Sequence, residues 1–469
     1  MWDSEKIAAI SDGELLGNST VPCSGWSIDS RKVSKGQVFA AFRGENTDGH
    51  SYIQKALAAG AAVILAESSR LQELEIGISD VPAGKAIIGV KDCLRAMQEL
   101  AKAWRTELNP LVVGITGSNG KTTTKDMVAA VLSAKYRVHK NTENQNNEIG
   151  LPLTILNAPP GVEIMVLEMG MRGLGQIKAL CDICRPSLGL ITNIGPTHLE
   201  LLETQENIGR AKWELIDCLP QDGIAVLNAE DYQSVTKAAA AAVKKVFYGI
   251  KGEYIKPDVQ GTNIRAAGEL KTIFEAIAGG QKAAVNLPLQ GEHNVLDALA
   301  ALAVGLNLGI SLKEGAHSLM GLQLSKMRLE ILPGILDSVI LNDVYNANPI
   351  SMQASLKVLA ERGGDKTIAV LGEMYELGDA AVSGHREVGQ TAALLGIREL
   401  VTVGDLARGI ALGARENDFA PQRIHHCDDC DQASSVVLQL LKEYGSGTWI
   451  LVKGSRGMKM ERVSRQITK

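Results

Sequence analysis

The stretch Leu111 to Lys135, LVVGITGSNGKTTTKDMVAAVLSAK, decides the fold. Its first five residues form an apolar run long enough for a buried strand, and from Thr122 onward Met127, Val128, Val131 and Leu132 recur at helical spacing. Between the two lies Gly117-Ser118-Asn119-Gly120-Lys121-Thr122-Thr123. A strand that turns through glycines into a helix start gathers backbone N–H groups and the positive end of the helix dipole around one point, which suits a polyphosphate. In such a P-loop Lys121 lies along the β- and γ-phosphates, and Thr122 offers its hydroxyl to Mg2+. The common pattern sets its first glycine six residues before the lysine, where this chain has Ile115. Here the glycines are Gly114, Gly117 and Gly120, a GxxGxxGKT variant.

Downstream, the run from Asn141 to Pro152, NTENQNNEIGLP, is too rich in amides for a core element. Next, EIMVLEMG reads as a buried strand ending in Glu168, and LGLITNIGPTHLE as another ending near His198. Both place a metal-capable side chain just past a strand end, the edge of an open α/β sheet where ligands sit. Either residue alone reads as structural; the two with a P-loop in one sheet favour a metal–nucleotide site. Lys212, in GRAKWELI, lies on a helix whose apolar neighbours suggest partial burial. On the residues alone it is a solvated helical lysine. Gly291-Glu292-His293-Asn294 opens a further helix, with Asn294 near its start, where it can serve as a cap or meet a base.

Upstream, residues 1 to about 108 form a first unit. VFAAF (Val38 to Phe42) and AAVILAE read as strands around a helix from Ile53 to Ala59, and Asp29-Ser30-Arg31, Arg43-Gly44 and Asp48-Gly49-His50 collect polar groups in loops. Such residues by themselves are turn formers more often than ligand contacts. Asn109-Pro110 marks a boundary. In the last unit, VILNDV, TIAVLG, ELVTVG and TWILVKG read as strands, with helices starting near Ser351, Gly384, Asp405 and Asp431, which predicts a second, smaller parallel sheet. The clusters Asp343 to Pro349 and Lys453 to Gly457 follow strands and so belong to its carboxyl edge.

Composition sets the class. At 469 residues the chain exceeds one core and predicts two to four domains; 45% apolar and 22% charged residues are ordinary for a soluble globular protein. A net charge of −5 argues against a general nucleic-acid binder. No apolar run reaches the roughly 18 residues of a membrane span. Met1 to Gly13 lacks a signal pattern, so the cytoplasm is the expected location. Seven cysteines do not suggest a disulfide framework. Cys181 with Cys184 and Cys427 with Cys430 have CxxC spacing, but about 240 residues separate the pairs; the first falls in a helical pattern and the second beside His425 and His426 in an expected loop. Free thiols are the preferred reading over a zinc site.

GITGSNGKTTT, NQNNEIGLP, LEMG, TNIGPTHLE, AKWE, GEHNVLDALAA, MRLE, DVYNANPISM and LVKGSRGMKME, in this order across almost the whole chain, resemble the Mur ligases that build the peptidoglycan stem peptide. DSRKVSKGQVFAAFRGENTDGH is similar to that family's UDP-binding amino-terminal domain. The resemblance implies an α/β protein of three domains: a UDP-precursor-binding α/β domain over 1–108, a central P-loop ATPase-type parallel sheet over 109–325, and a C-terminal Rossmann-like ligase domain over 326–469. It also implies an acid–amino acid ligase using ATP and Mg2+. The YNANP loop and LGEMYELG favour the branch in which the terminal carboxylate of UDP-N-acetylmuramoyl-tripeptide is phosphorylated and the amine of D-alanyl-D-alanine attacks the acyl phosphate. A monomer acting on these small molecules, with no nucleic-acid partner and no membrane span, is expected.

By the same resemblance, Lys121 binds the β- and γ-phosphates within the loop Gly117 to Thr123, and Thr122, Glu168 and His198 hold or approach Mg2+. Lys212 matches a family lysine that is usually carbamylated, which reverses its bland reading; carbamylation needs a neutral amine, so burial or a nearby cation should depress its pKa. Asn294 would contact adenine, Asp343 the ribose, and Arg328 the phosphates from across a hinge near residue 325, its planar donors matching phosphate oxygens two at a time. Ser30, Arg43 and His50 would lie near the uridine diphosphate, and Asn146 and Asn147 would supply amide contacts. The family commonly has Asn where this chain has Asp297. The alternatives are a sibling ligase adding the third stem-peptide residue, whose aspartate-asparagine-proline-arginine signature is missing, and a folylpolyglutamate synthase-like ligase, which leaves the DSR and DGH unit unexplained. An idle P-loop binding module would have lost some of Lys121, Thr122, Glu168, His198 and Lys212, and all are present.

Overall fold

In the computed structural model, residues 2–17, 20–44, 47–142, 145–195, 199–268, 271–322 and 327–469 are described. They form three α/β layers, each built on its own sheet of five, nine or six strands. The first sheet runs, edge to edge, through Glu14–Leu16, Ala86–Val90, Val63–Glu67, Val38–Ala40 and Trp26–Ser27; only the first pair is antiparallel. Its helix Cys93–Leu108 carries Trp104, which meets Trp2 edge-on at 5.2 Å and donates from Nε1 to the Ala158 carbonyl of the central unit. Asn157 then brackets Trp26, accepting from its N–H at 2.9 Å and donating to its carbonyl at 3.1 Å. The first two units therefore share one hydrophobic core.

In the central sheet Leu111–Thr116 lies between Ile164–Glu168 and Leu188–Ile191, all parallel. The next two strands in sequence lie on one side of this strand and the following ones on the other, so the crevice at its carboxyl end is a topological switch point, where α/β sheets bind ligands. Val112, Val113 and Ile115 are fully buried, as are Met127, Val128, Val131 and Leu132 of the helix Lys121–Leu132, as their spacing predicts. Against that helix packs Glu292–Asn307, whose alanines allow close approach: a Cβ on Gly305 would stand 2.5 Å from Val131.

The central sheet differs from the all-parallel expectation. Val259–Ala267, Lys271–Ala278 and Gln281–Leu287 extend it as an antiparallel meander, turned in part by Gly279 and Gly280 at φ +56° and +77°. The strand Leu188–Ile191 also ends earlier than expected, and His198 lies outside the described residues.

The third sheet holds the four expected strands, as Val339–Asp343, Trp449–Lys453, Thr367–Gly372 and Glu399–Val403, with Glu330–Pro333 antiparallel at one edge and Ile424–Cys427 parallel at the other. His425 and His426 thus sit in an edge strand rather than a loop, pairing with Val401 and Thr402. All seven cysteines are free, and among the described residues no cluster of His, Cys, Asp or Glu forms a metal cage.

Candidate nucleotide and metal site

The P-loop needs its glycines. Gly117 has φ +154° and a Cβ there would overlap the Thr192 hydroxyl; Gly120 has φ +81° and its Cβ would lie 2.6 Å from Asp297 Oδ1. Behind the loop, the Ser118 N–H donates to the Asn193 carbonyl at 2.9 Å, and the Asn119 carbonyl accepts from Thr192 Oγ1 at 2.5 Å and from Asn193 Nδ2 at 3.1 Å. Lys121 Nζ lies back over the loop, donating to the carbonyls of Gly117 at 2.7 Å and Ser118 at 3.2 Å. Enclosure lowers its pKa, Glu168 opposes that, and the Arg328 charge adds to it.

One strand over, Glu168 is 3% exposed. Its carboxylate accepts from Thr122 Oγ1 at 2.7 Å and from Asn146 Nδ2 at 2.8 Å. Asn141 clamps its backbone from both sides, accepting from the Glu168 N–H and donating to its carbonyl, each at 2.9 Å. A hydroxyl and a carboxylate held together at the first turn of a P-loop helix are hard oxygen donors of the kind Mg2+ takes. Thr123 completes that turn without a side-chain bond among the described residues.

Lys212 projects from the helix Gln205–Asp217, 2% exposed, and forms no hydrogen bond or ion pair among the described residues. Burial first, and the Lys121 charge second, drive its pKa well below that of an ordinary lysine. These are the two conditions that favour the neutral amine.

The third unit brings Arg328 to the site. Its guanidinium stacks 4.2 Å from the Tyr345 ring centre, and its buried Nε has no partner. An orphaned guanidinium N–H beside a P-loop fits an anion. Asp343 is occupied: its carboxylate pairs with Lys453 at 2.5 Å and accepts from Ser355 Oγ at 2.7 Å and the Leu329 N–H at 3.2 Å. Burial raises its pKa, and Lys453 and Ser355 outweigh that to leave it lowered. Asn294 is inside its helix rather than capping it; Gly291 is the N-cap, and Asn294 Nδ2 reaches back to the Gln290 carbonyl at 2.7 Å. Beneath the loop, Asp297 accepts from Thr124 Oγ1 at 2.9 Å, and burial raises its pKa to about 7 against Thr124 and Arg328.

The structure thus gathers Lys121, Thr122, Glu168, Asn146, Lys212 and Arg328. Asn147 stands apart, just before the helix Gly150–Leu156, its Oδ1 accepting from the N–H groups of Ile149 and Gly150. Ser30, Arg43 and His50 belong to the connections of the first sheet, Arg43 in an isolated bridge with Asp48 and His50 in the short 3-10 helix Gly49–Tyr52. His50 is buried with both ring nitrogens engaged, Nδ1 with Asp48 at 2.7 Å and Nε2 with the Glu67 N–H at 3.0 Å, so its ring orders this loop. Sequence reasoning named Asn141, Asn348 and Lys453 only as members of polar clusters, without individual roles, and passed over Thr192 and Asn193; the available signal was position, since Lys453 ends a strand and the others follow one.

Residues 23–105 match the Mur ligase family catalytic domain, 115–305 the Mur ligase middle domain, and 327–456 the Mur ligase glutamate ligase domain. The chain belongs to the Mur ligase family. Its full-length relatives include the UDP-N-acetylmuramoyl-tripeptide–D-alanyl-D-alanine ligase of Bacillus subtilis, 38% identical over 94% of this chain and 93% of that one. The enzyme of the same name from Escherichia coli is 32% identical over 98% and 97%. Among solved structures, MurF from Acinetobacter baumannii superposes with a TM-score of 0.84 at 28% identity, covering 99% of this chain and 98% of its own. MurF ligase from Thermotoga maritima in complex with ADP gives 0.77 at 29%, covering 94% and 96%.

Proposed function

We propose that this chain is the ATP-dependent ligase that joins D-alanyl-D-alanine to UDP-N-acetylmuramoyl-tripeptide through an acyl phosphate, giving the pentapeptide precursor of peptidoglycan, ADP and phosphate. The observation that carries the reading is likeness over nearly the full chain to relatives of that activity, with the P-loop, Glu168 and Lys212 in place. ATP supplies the phosphoryl group, and Mg2+ neutralises charge on its phosphates. Thr122, Glu168 and His198 are the proposed metal residues, and the P-loop from Gly117 to Thr123 takes the phosphates.

The physical obstacle is repulsion between a polyphosphate and a carboxylate. Lys121 and Arg328, whose buried Nε has no partner among the described residues, bring positive charge from two units to one point, where it spreads the charge of the transferring group. Lys212, whose burial favours the neutral amine, adds to CO2 by forming an N–C bond and releasing a proton; the resulting carbamate would be an anionic oxygen ligand suited to a second Mg2+. Asn294 is proposed for adenine. Asp343 acts toward the ribose through its Lys453-paired carboxylate, while Ser30, Arg43, His50, Asn146 and Asn147 form or order the precursor side. In this reading the units are 1–108, 109–325 and 326–469, and the chain works as a cytoplasmic monomer. Among the described residues no helix is long and apolar enough to cross a membrane.

The test is phosphate release from ATP and Mg2+ with UDP-MurNAc-tripeptide, with and without D-Ala-D-Ala. Release that needs both establishes the step. Release only with the dipeptide precursor and a free amino acid moves the chain to the sibling ligase.

A further inference from the structure

Asn119, the P-loop residue before Gly120-Lys121, is held from two directions. Its main chain is tied within the central unit, the N–H donating to Asn193 Oδ1 at 3.1 Å and the carbonyl accepting from Thr192 and Asn193. Its side chain is turned toward the third unit, where Asn119 Oδ1 accepts from Asn348 Nδ2 at 2.6 Å. Asn348 is 8% exposed and has a second task as N-cap of the helix Pro349–Gly363, accepting from the Ser351 N–H at 2.9 Å. Its amide is thereby split, with the oxygen fixed in its own helix and the nitrogen fixed on the P-loop. Two residues on, Ile350 lies against Gly195, just after the Thr192-Asn193 pair that holds the loop. Asn119 and Asn348 are 229 residues apart in sequence, and their contact exists only while the two units are docked.

We propose that Asn348 is a positioning residue that ties docking of the third unit to the setting of the P-loop. The unit that carries Arg328 seats its helix cap on Asn119, and the loop reaches its transfer geometry with that bridge made. The consequence for turnover rests on the ligase reading above; the mechanical link does not. A rigid cap suits this task because a side chain already fixed by its oxygen loses little further freedom when its nitrogen binds.

The test uses Asn348→Ser, Asn119→Ala and the double variant of the full chain. Serine caps a helix about as well as asparagine but is too short to bridge to Asn119. Asn348→Ser should therefore keep the wild-type melting temperature and bind ADP within about twofold of wild type, while kcat for phosphate release falls roughly two- to tenfold, the worth of one hydrogen bond, with KM for ATP little changed. The double variant should be no slower than the slower single variant. An unchanged kcat in Asn348→Ser, or losses that multiply in the double variant, would overturn the proposal. Should Asn348→Ser fold poorly, Asn348→Thr, which also caps the helix but cannot reach Asn119, must show the same fall in kcat at constant KM. A wild-type chain silent in the complete reaction would sink the ligase reading instead; the link is then read by X-ray scattering with ADP and Mg2+, where Asn348→Ser must enlarge the radius of gyration and an equal radius refutes it.

Discussion

Replacing Lys212 by methionine should stabilise the protein while abolishing its activity. The lysine is 2% exposed, and its amine makes no hydrogen bond or ion pair among the described residues. Burying a polar group without a partner costs about 1–3 kcal/mol by protein mutational data. Methionine keeps an unbranched chain of similar length and removes that cost. For a unit of some 200 residues, each kcal/mol moves the melting temperature by about 2–4 °C, so Lys212→Met should melt roughly 2–12 °C higher in metal-free, CO2-free buffer. The pH dependence has a definite sign. Because the folded-state pKa of Lys212 is depressed, the unfolded chain binds the extra proton at neutral pH and the lysine costs stability there. That cost shrinks as pH rises toward the unfolded value near 10.5, so the gap between wild type and Lys212→Met should narrow with alkalinity. Scanning calorimetry from pH 7 to 10, paired with phosphate release, reads both halves. A melting temperature that is unchanged or lower in Lys212→Met at pH 7 would show that the amine is solvated or paired, and with it would fall the argument for a carbamate.

Lys121→Ala should remove phosphate release at little cost in stability, since among the described residues its ammonium bonds only loop carbonyls; near-normal turnover would discard the P-loop assignment. Asp297→Asn should flatten the acid side of the stability profile: with its folded pKa raised from 3.8 to about 7, Asp297 favours folding fully below pH 4 and loses that contribution as pH rises through 7, whereas an amide does not titrate. Parallel calorimetric profiles for the two proteins between pH 4 and 8 would contradict the burial of this group. Asn141→Ala should cost about 2–4 kcal/mol by leaving both backbone groups of Glu168 without partners, and should weaken Mg2+ dependence more than ADP affinity. If denaturant titration shows no loss of stability, the clamp is not formed.

The P-loop strand and helix were legible because two periodicities meet at glycines, and each glycine has a local reason in the structure: the Thr192 hydroxyl opposes a side chain at 117 and the Asp297 carboxylate one at 120. Glu168 was legible from its place at a strand end, whereas the Asn141 clamp that fixes it was not, because an amide-rich run looks alike whether its members bond solvent or one glutamate. The antiparallel meander was overlooked although Gln281–Leu287 alternates buried and exposed residues and Gly279-Gly280 precedes it; attention to apolar runs favours buried parallel strands and passes over half-buried ones. Lys212 marks the limit. Its apolar neighbours suggested partial burial, but complete burial beside Lys121 depends on the docking of a helix onto a sheet, which no window of sequence encodes.

The charges around the site give this arrangement a direction. Lys121 opposes protonation of Lys212, and Arg328 opposes protonation of Lys121 and Lys125, so these cations disfavour one another, with Asp126 beside Lys125 and Glu168 beside both lysines of the P-loop helix offsetting part of the repulsion. Glu168 is the carboxylate that offsets Lys121, and it is already engaged by Thr122 and Asn146. Arg328 comes from the third unit and Lys121 from the central one, so seating the third unit carries a repulsive contribution between these two cations, partly offset by Asp297, and a polyphosphate between them turns that contribution into attraction. Linkage makes the effect reciprocal: whatever factor the nucleotide lends to docking, docking lends to the nucleotide. The Asn119–Asn348 bridge is uncharged and sits at the same junction. It can hold the loop in register without adding to the repulsion, which a lysine or arginine at position 348 could not do.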